Sequence, residues 1–256
     1  MQFKNPLKQL WAEGKSAVNG WIAIPSVLSA EVMARAGWDS LTIDMQHGTA
    51  DYADLLTMLP VIGQTGTAAL VRVPWNRPEH IMRALDAGAI GIIAPMIESA
   101  ADTMAFVDAC LYAPEGARSF GPVRARLAYG DSYAAEANAN VLPIAMIETR
   151  EAVDQLDDIL QVPGLGGIYI GPADLSLVCG FLPGFDREEP EMLDLIAHIL
   201  ARAKAFGIPA CIHCGSPAYA RRMQDIGFSL VTIGSDARFL EAGANAALGK
   251  IRSGGY

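Results

Sequence analysis

The sequence predicts one (β/α)8 TIM barrel, and three observations carry that expectation. Short β-like apolar runs alternate with helix-like segments along the chain. A helix–Gly–strand mark recurs at Ala36-Gly37-Trp38, Ala87-Gly88-Ala89, Phe206-Gly207-Ile208 and Ile226-Gly227-Phe228. No compositional break divides the 256 residues, a length normal for one α/β barrel, so residues 1–256 read as a single domain.

The elements follow in order. Residues 21–24 read as the first strand. Residues 29–36 read as a helix stopped by Gly37, because glycine enters the left-handed region at a helix end without a Cβ clash. The run 41–44 is the second strand, followed by a helix over 51–61. Residues 68–73 form the third strand, Pro78 suits the first turn of a helix running to Gly88, and 90–94 form the fourth strand. Residues 98–109 look helical, and the polar, small-residue stretch 112–140 reads as an unusually long connection. Strands five and six are 142–147 and 168–170, separated by a helix over 150–160. A Pro/Gly-rich loop at 172–190 leads into a helix ending at Phe206. The runs 210–213 and 230–233, a helix over 218–226 and a last helix from Asp236 close the chain. Eight strands in this alternation favour a barrel over a doubly wound open sheet, and no G-x-G-x-x-G or P-loop pattern supports a nucleotide fold.

Composition excludes several classes of function. Apolar residues make up 52% and charged residues 18%, ample material for a large core. The formal charge of −9 argues against nucleic acid, since no Lys/Arg cluster offers a phosphate-binding stripe. Positive charge concentrates only at Arg118, Arg124 and Arg126, a patch whose size suits a carboxylate or an interface. No apolar run reaches the roughly 18–20 residues that span a bilayer, and the opening Met1-Gln-Phe-Lys-Asn-Pro lacks a signal-peptide core. The expectation is a cytoplasmic protein without a membrane partner. Cys211-Ile-His213-Cys214 has redox-motif spacing but falls in a strand, so buried free thiols are expected.

In such a barrel the chemistry gathers at the C-terminal strand ends. The apolar run 144–147 ends in Glu148, and 168–170 is followed by Gly171-Pro-Ala-Asp174. Two carboxylates at the mouths of successive buried strands make an oxygen cradle suited to Mg²⁺ or Mn²⁺. Each alone reads as a cap of the turn that follows its strand; the pair, beside a histidine and an arginine at matching strand ends, reads as a site. The second strand contributes Asp44, Gln46 and His47, the third Arg72, and the seventh His213. His80 and His198 fall in helical stretches and read as structural.

The five lysines, Lys4, Lys8, Lys15, Lys204 and Lys250, all lie away from the strand ends. A Schiff-base route needs a desolvated lysine facing a carbonyl, so carbonyl chemistry here calls for a Lewis acid. An ion on Glu148 and Asp174 suits a 2-oxo acid. Arg72 adds positive charge where an oxyanion develops, and His47 is the natural acid/base. The amides of the Gly171–Asp174 turn, Ala173 and Asp174 among them, are donors for a substrate carboxylate; Pro172 has none to give.

These residues resemble the HpcH/HpaI aldolase family over essentially the whole chain. The likeness rests on Asp44-x-x-His47, Arg72 before Pro74-Trp75, and Tyr112-x-Pro-x-Gly-x-Arg118. It rests above all on Ile147-Glu-Thr-Arg-Glu-Ala152 followed by Gly171-Pro-Ala-Asp-Leu-Ser176. The resemblance implies a TIM barrel and reversible aldol cleavage of 4-hydroxy-2-oxo acids to pyruvate or hydroxypyruvate and an aldehyde. It implies Glu148 and Asp174 as ligands of Mg²⁺ or Mn²⁺, with Co²⁺ as a further candidate. His47 is implied as base, Arg72 as the group polarising the keto oxygen, and Asp86 as a carboxylate orienting the base across a subunit boundary. It also implies a homo-oligomer, a hexamer assembled as a trimer of dimers. Three positions depart from the common pattern: Gln46 stands beside the base, Met146 two residues before Glu148, and His213 on the seventh strand where an apolar residue is expected. Two other readings are a citramalyl- or citryl-CoA-type lyase on a related barrel and a metal-binding barrel without catalysis. The first would need a basic CoA groove that this acidic chain does not display.

Overall fold

Eight parallel strands close into a barrel in chain order: β1 (Ala17–Ile22), β2 (Ser40–Asp44), β3 (Ala68–Arg72), β4 (Gly91–Ala94), β5 (Leu142–Ile147), β6 (Gly167–Ile170), β7 (Ala210–Cys214) and β8 (Leu230–Ser235). This is the single TIM barrel that the sequence predicts, seen in a computed structural model that describes residues 3–253. Between the early strands lie α2 (Val27–Ala34), α3 (Tyr52–Gly63), α4 (Pro78–Asp86) and α5 (Ala100–Cys110), after a leading α1 (Pro6–Ala12). The longest connection holds α6 (Val123–Tyr129) and α7 (Tyr133–Asn140). The second half carries α8 (Arg150–Asp154), α9 (Leu156–Leu160), α10 (Pro172–Val178), α11 (Pro190–Ala205), α12 (Pro217–Ile226) and α13 (Asp236–Arg252). Strand side chains and the inner helix faces merge into one continuous apolar core.

The glycine marks do what their spacing predicts. Gly37, Gly88, Gly207 and Gly227 all take positive φ, between 69° and 105°, where a Cβ would be strained. Each turns the chain from a helix into the start of a strand.

Three local expectations are corrected, and two features add to the sequence pattern. β1 begins at Ala17 rather than at residue 21, because Asn19 and Gly20 interrupt the apolar run without interrupting the strand. Asn19 is fully buried and hydrogen bonded, and a Cβ on Gly20 would stand 2.7 Å from Leu41 Cδ2. The connection over 112–140 is long, as expected, and it also carries α6 and α7, each of which buries too few apolar positions to display a period. The helix over 150–160 is broken at Gln155, which leaves helical geometry at ψ 16°. The loop over 172–190 opens with α10: Pro172 in the first helical position and Asp174 in the first turn are helix starters that the Gly/Pro composition masked. The leading helix α1, capped by Asn5, is too short to display a helical period in the sequence.

The thiols are as expected: all four cysteines are free, and Cys211 and Cys214 lie buried on β7. Among the described residues no helix is long and apolar enough to cross a membrane.

Candidate active site

Strand register brings the rim together. In the β2–β3 ladder Asp44 lies directly beside Arg72. The β5–β6 ladder pairs Ile147 with Ile170, so Glu148 and Gly171 emerge next to one another. The result is a cavity of about 270 Å³ at the C-terminal strand ends, lined by Asp44, His47, Arg72, Glu148, Ala173, Asp174 and His213. A larger cleft of about 530 Å³ runs along α1 and the Thr65–Thr67 turn, away from these side chains.

Arg72 and Asp44 form a two-pronged ion pair. Nε donates to Oδ1 at 2.9 Å and Nη2 to Oδ2 at 2.7 Å, which fixes the plane of the guanidinium. Trp21 reinforces the pair: its Nε1 donates to Asp44 Oδ2 at 3.1 Å, and its ring centroid lies 4.9 Å from the guanidinium carbon. Asp44 Oδ1 also accepts the backbone amides of Gln46 and His47, at 3.0 and 3.3 Å. Burial alone would raise the Asp44 carboxyl, but the Arg72 guanidinium, with the Gln46 amide and Trp21, outweighs it and holds the group below its ordinary value. Asp44 is therefore an anion that holds Arg72 in place and turns the chain toward His47, which stands exposed at the rim.

Glu148 is buried, whereas Asp174, in the first turn of α10, is exposed. Burial pushes Glu148 up to about 7; the Met96 amide and Arg72 pull it down, and the like charge of Asp174 adds to the rise. Met96 is one of two non-glycine residues with positive φ among the described residues, at 54°, and in that conformation its amide donates to Glu148 Oε1 at 2.9 Å. On the other flank, a Cβ on Gly171 would stand 2.6 Å from Glu148 Oε2. A desolvated carboxylate with a second carboxylate as neighbour is a donor set that a divalent cation satisfies. Among the described residues no group of three or more His, Cys, Asp or Glu side chains is arranged to hold a metal. An ion held here would find two oxygen ligands in Glu148 and Asp174, and its other positions would be open to water and substrate.

Two predicted residues stand elsewhere. Gln46 does not line the cavity: its Oε1 is buried without a hydrogen-bond partner. Asp86 ends α4 and pairs with Arg118 Nη2 at 2.6 Å, outside the lining of its own chain's cavity. The basic patch dissolves accordingly. Arg118 is buried between Asp86 and the Tyr112 and Tyr133 rings, Arg124 donates to the Ala87 carbonyl at 2.8 Å, and Arg126 is exposed.

Other cavity residues carry no motif: Trp21, Tyr169, Phe185, Ser235 and Arg238. Arg238 was findable as a basic residue just after the eighth strand, the usual rim position in a barrel. Phe185 lies mid-loop, and no local pattern points to it.

Fold and rim together define a TIM-barrel protein whose strand-end cavity holds carboxylates, histidines and arginines, with no lysine among its lining residues. The chain belongs to the HpcH/HpaI aldolase/citrate lyase family, whose model matches residues 20–240. It is 43% identical over 249 residues to a hydroxypyruvate/pyruvate aldolase of Rhizorhabdus wittichii, covering 97% of this chain and 99% of that protein. It is 34% identical to a 4-hydroxy-2-oxo-heptane-1,7-dioate aldolase of Salmonella heidelberg, over 95% of this chain and 93% of that one. Among solved structures, an HpcH/HpaI aldolase/citrate lyase family protein from Burkholderia cenocepacia superposes with a TM-score of 0.89 at 31% identity. That match covers 97% of this chain and all of the other.

Proposed function

We propose that this chain catalyses the reversible aldol cleavage of a 4-hydroxy-2-oxo acid, releasing pyruvate or hydroxypyruvate and an aldehyde, with a divalent cation on Glu148 and Asp174. The observation that carries the reading is the buried Glu148 beside Asp174, in one cavity with the Arg72–Asp44 pair and with no lysine among its lining residues. Bound there, the cation supplies Lewis acidity to the 2-oxo group.

The chain's own residues supply the rest. Arg72 spends Nε and Nη2 on Asp44, which leaves Nη1 as a donor to the oxygen that gains negative charge as the C3–C4 bond breaks. His47 takes the proton from the C4 hydroxyl as the aldehyde forms, the enolate carbon C3 takes up a proton as the 2-oxo acid leaves, and both transfers reverse in condensation. The first-turn amides of Ala173 and Asp174 have no carbonyl partner within α10 and serve the substrate carboxylate. Asp86 enters the proposal as a positioning residue for the His47 of a neighbouring subunit.

The reading extends to Mg²⁺ or Mn²⁺ as the ion, with Co²⁺ able to substitute, and to a cytoplasmic enzyme without nucleic-acid or membrane partners. It also extends to a hexamer built as a trimer of dimers. Support for assembly comes from α13, which exposes Phe239, Leu240, Leu248 and Ile251, and from Leu28 and Val32 of α2, which line an apolar groove with it.

The test is chelation. Cleavage of a 4-hydroxy-2-oxo acid should vanish after EDTA treatment and return with Mg²⁺ or Mn²⁺. Turnover that persists in chelator would overturn the proposal.

A further inference from the structure

A chain of buried polar side chains runs through the barrel and ends at the cavity. Ser40 Oγ and Thr42 Oγ1 donate to Asn19 Oδ1 at 2.8 and 3.2 Å. On the other side of the amide, Asn19 Nδ2 donates to Thr232 Oγ1 at 2.9 Å. The Tyr169 hydroxyl donates to the same Thr232 oxygen at 2.6 Å. With its proton on Thr232, the hydroxyl oxygen stands as an acceptor 3.1 Å from His213 Nδ1, the arrangement in which Nδ1 carries the ring proton. The β7–β8 register, which sets His213 beside Thr232, makes this convergence possible. Asn19, Ser40, Thr42 and Thr232 are fully buried and Tyr169 nearly so, in a barrel interior that branched aliphatic side chains usually fill.

The consequence falls on the other nitrogen of the ring. With Nδ1 protonated toward Tyr169, Nε2 carries a lone pair, and it makes no hydrogen bond to the protein among the described residues. The ring is clamped rather than free. Phe185 stacks on it with centroids 4.7 Å apart, and Trp21 meets it edge-on at 5.1 Å. Burial, with Arg72 and Arg238 adding positive charge nearby, depresses the ring to about 3, so it stays neutral at working pH.

We propose that His213 is a specificity residue whose Nε2 accepts a hydrogen bond from a hydroxyl of the substrate, selecting hydroxylated over deoxygenated substrates. The inference rests on the aldolase reading for its substrate class only. A fixed acceptor on the cavity wall discriminates, because a substrate that fills the cavity without the hydroxyl leaves it unpaired. Tyr169, whose hydroxyl is spent on Thr232 and His213, and the residues behind it are positioning residues, since they act on the substrate through the imidazole ring.

The hydroxyl belongs either to the 2-oxo acid or to the aldehyde, and two substrate pairs separate these sources. Hydroxypyruvate is compared with pyruvate against one aldehyde, and glycolaldehyde with acetaldehyde against one 2-oxo acid. His213→Phe keeps an aromatic ring for Phe185 and removes the acceptor; it should lower the preference for the hydroxylated member of one pair at least tenfold in kcat/KM. His213→Gln, whose amide oxygen accepts, should restore part of that preference. Tyr169→Phe should erode the same ratio by releasing the tautomer. Both ratios unchanged in His213→Phe would overturn the proposal.

A second measurement needs no turnover. In ¹⁵N-histidine-labelled protein without substrate, His213, assigned by its loss in His213→Phe, should show Nδ1 protonated and Nε2 bare, and Tyr169→Phe should blur that pattern. A ring protonated at Nε2 would mean that the hydrogen-bond chain runs the other way, and the proposal would fall even in an active aldolase. Conversely, failure of every 2-oxo acid to react would sink the aldolase reading while the tautomer remained measurable.

Discussion

Gly171 lies so close to Glu148 that a Cβ on the glycine would stand 2.6 Å from Oε2 and 3.3 Å from the Glu148 Cβ. The two residues emerge from adjacent strands, and the absence of a side chain at one leaves room for the carboxylate of the other. Gly171→Ala should therefore leave the barrel folded, at a stability cost of about 1–3 kcal/mol. It should displace the carboxylate and weaken Mn²⁺ binding at least tenfold. Calorimetric titration of the variant with Mn²⁺ checks this, and unchanged affinity would mean that Glu148 is not a ligand.

The raised Glu148 carboxyl has a pH signature in protein stripped of divalent ions. An unfolded glutamate loses its proton near the ordinary value of roughly 4.5, whereas folded Glu148 holds its own up to about 7. Between those values the folded state binds more protons, so stability falls as pH rises and levels off above 7. The loss is on the order of 3 kcal/mol at most. Urea unfolding from pH 4.5 to 8 should show this slope in the wild type and lose it in Glu148→Gln. Added Mg²⁺ at pH 8 should recover stability in the wild type alone.

Arg72 is held by both prongs of its guanidinium, a geometry that lysine does not reproduce. Arg72→Ala should cost about 10²-fold or more in kcat/KM, and Arg72→Lys should recover only a minor part. Asp44→Asn should resemble Arg72→Lys, because the guanidinium loses its anchor while its charge remains. Steady-state kinetics on one substrate decides the order of the three.

The Asp86–Arg118 pair separates folding from chemistry. The Arg118 side chain is wholly buried between two tyrosine rings, so Arg118→Met should destabilise the protein by about 3 kcal/mol or more, read by urea unfolding. Asp86→Asn keeps the shape and should cost less. If Asp86 orients the base of a neighbouring subunit, that variant should also lose kcat while remaining assembled. Full activity in an assembled Asp86→Asn protein would confine the residue to a structural role.

Some of this was readable without coordinates. Period-two and helical patterns, glycines at helix ends and carboxylates closing apolar runs are local signals. They sufficed for eight strands, for four left-handed glycines, and for Asp44, His47, Arg72, Glu148, Asp174 and His213 at one rim. Local patterns failed where an element was too short to show a period, as in α6, α7 and α10, or where a polar residue was buried in a strand, as with Asn19.

The sequence by itself determined the barrel, the order of its strands and the set of groups available for chemistry, because backbone preference and apolar spacing act between neighbours in the chain. Only the tertiary structure decided which groups meet. Asn19 finds Thr232 across 213 residues because closing the barrel sets β1 against β8. Met96 turns its amide onto Glu148, Phe185 covers His213 from a loop, and Asp86 faces Arg118 instead of its own rim. Such meetings depend on register and closure, which are properties of the whole sheet and have no counterpart in any short stretch of sequence.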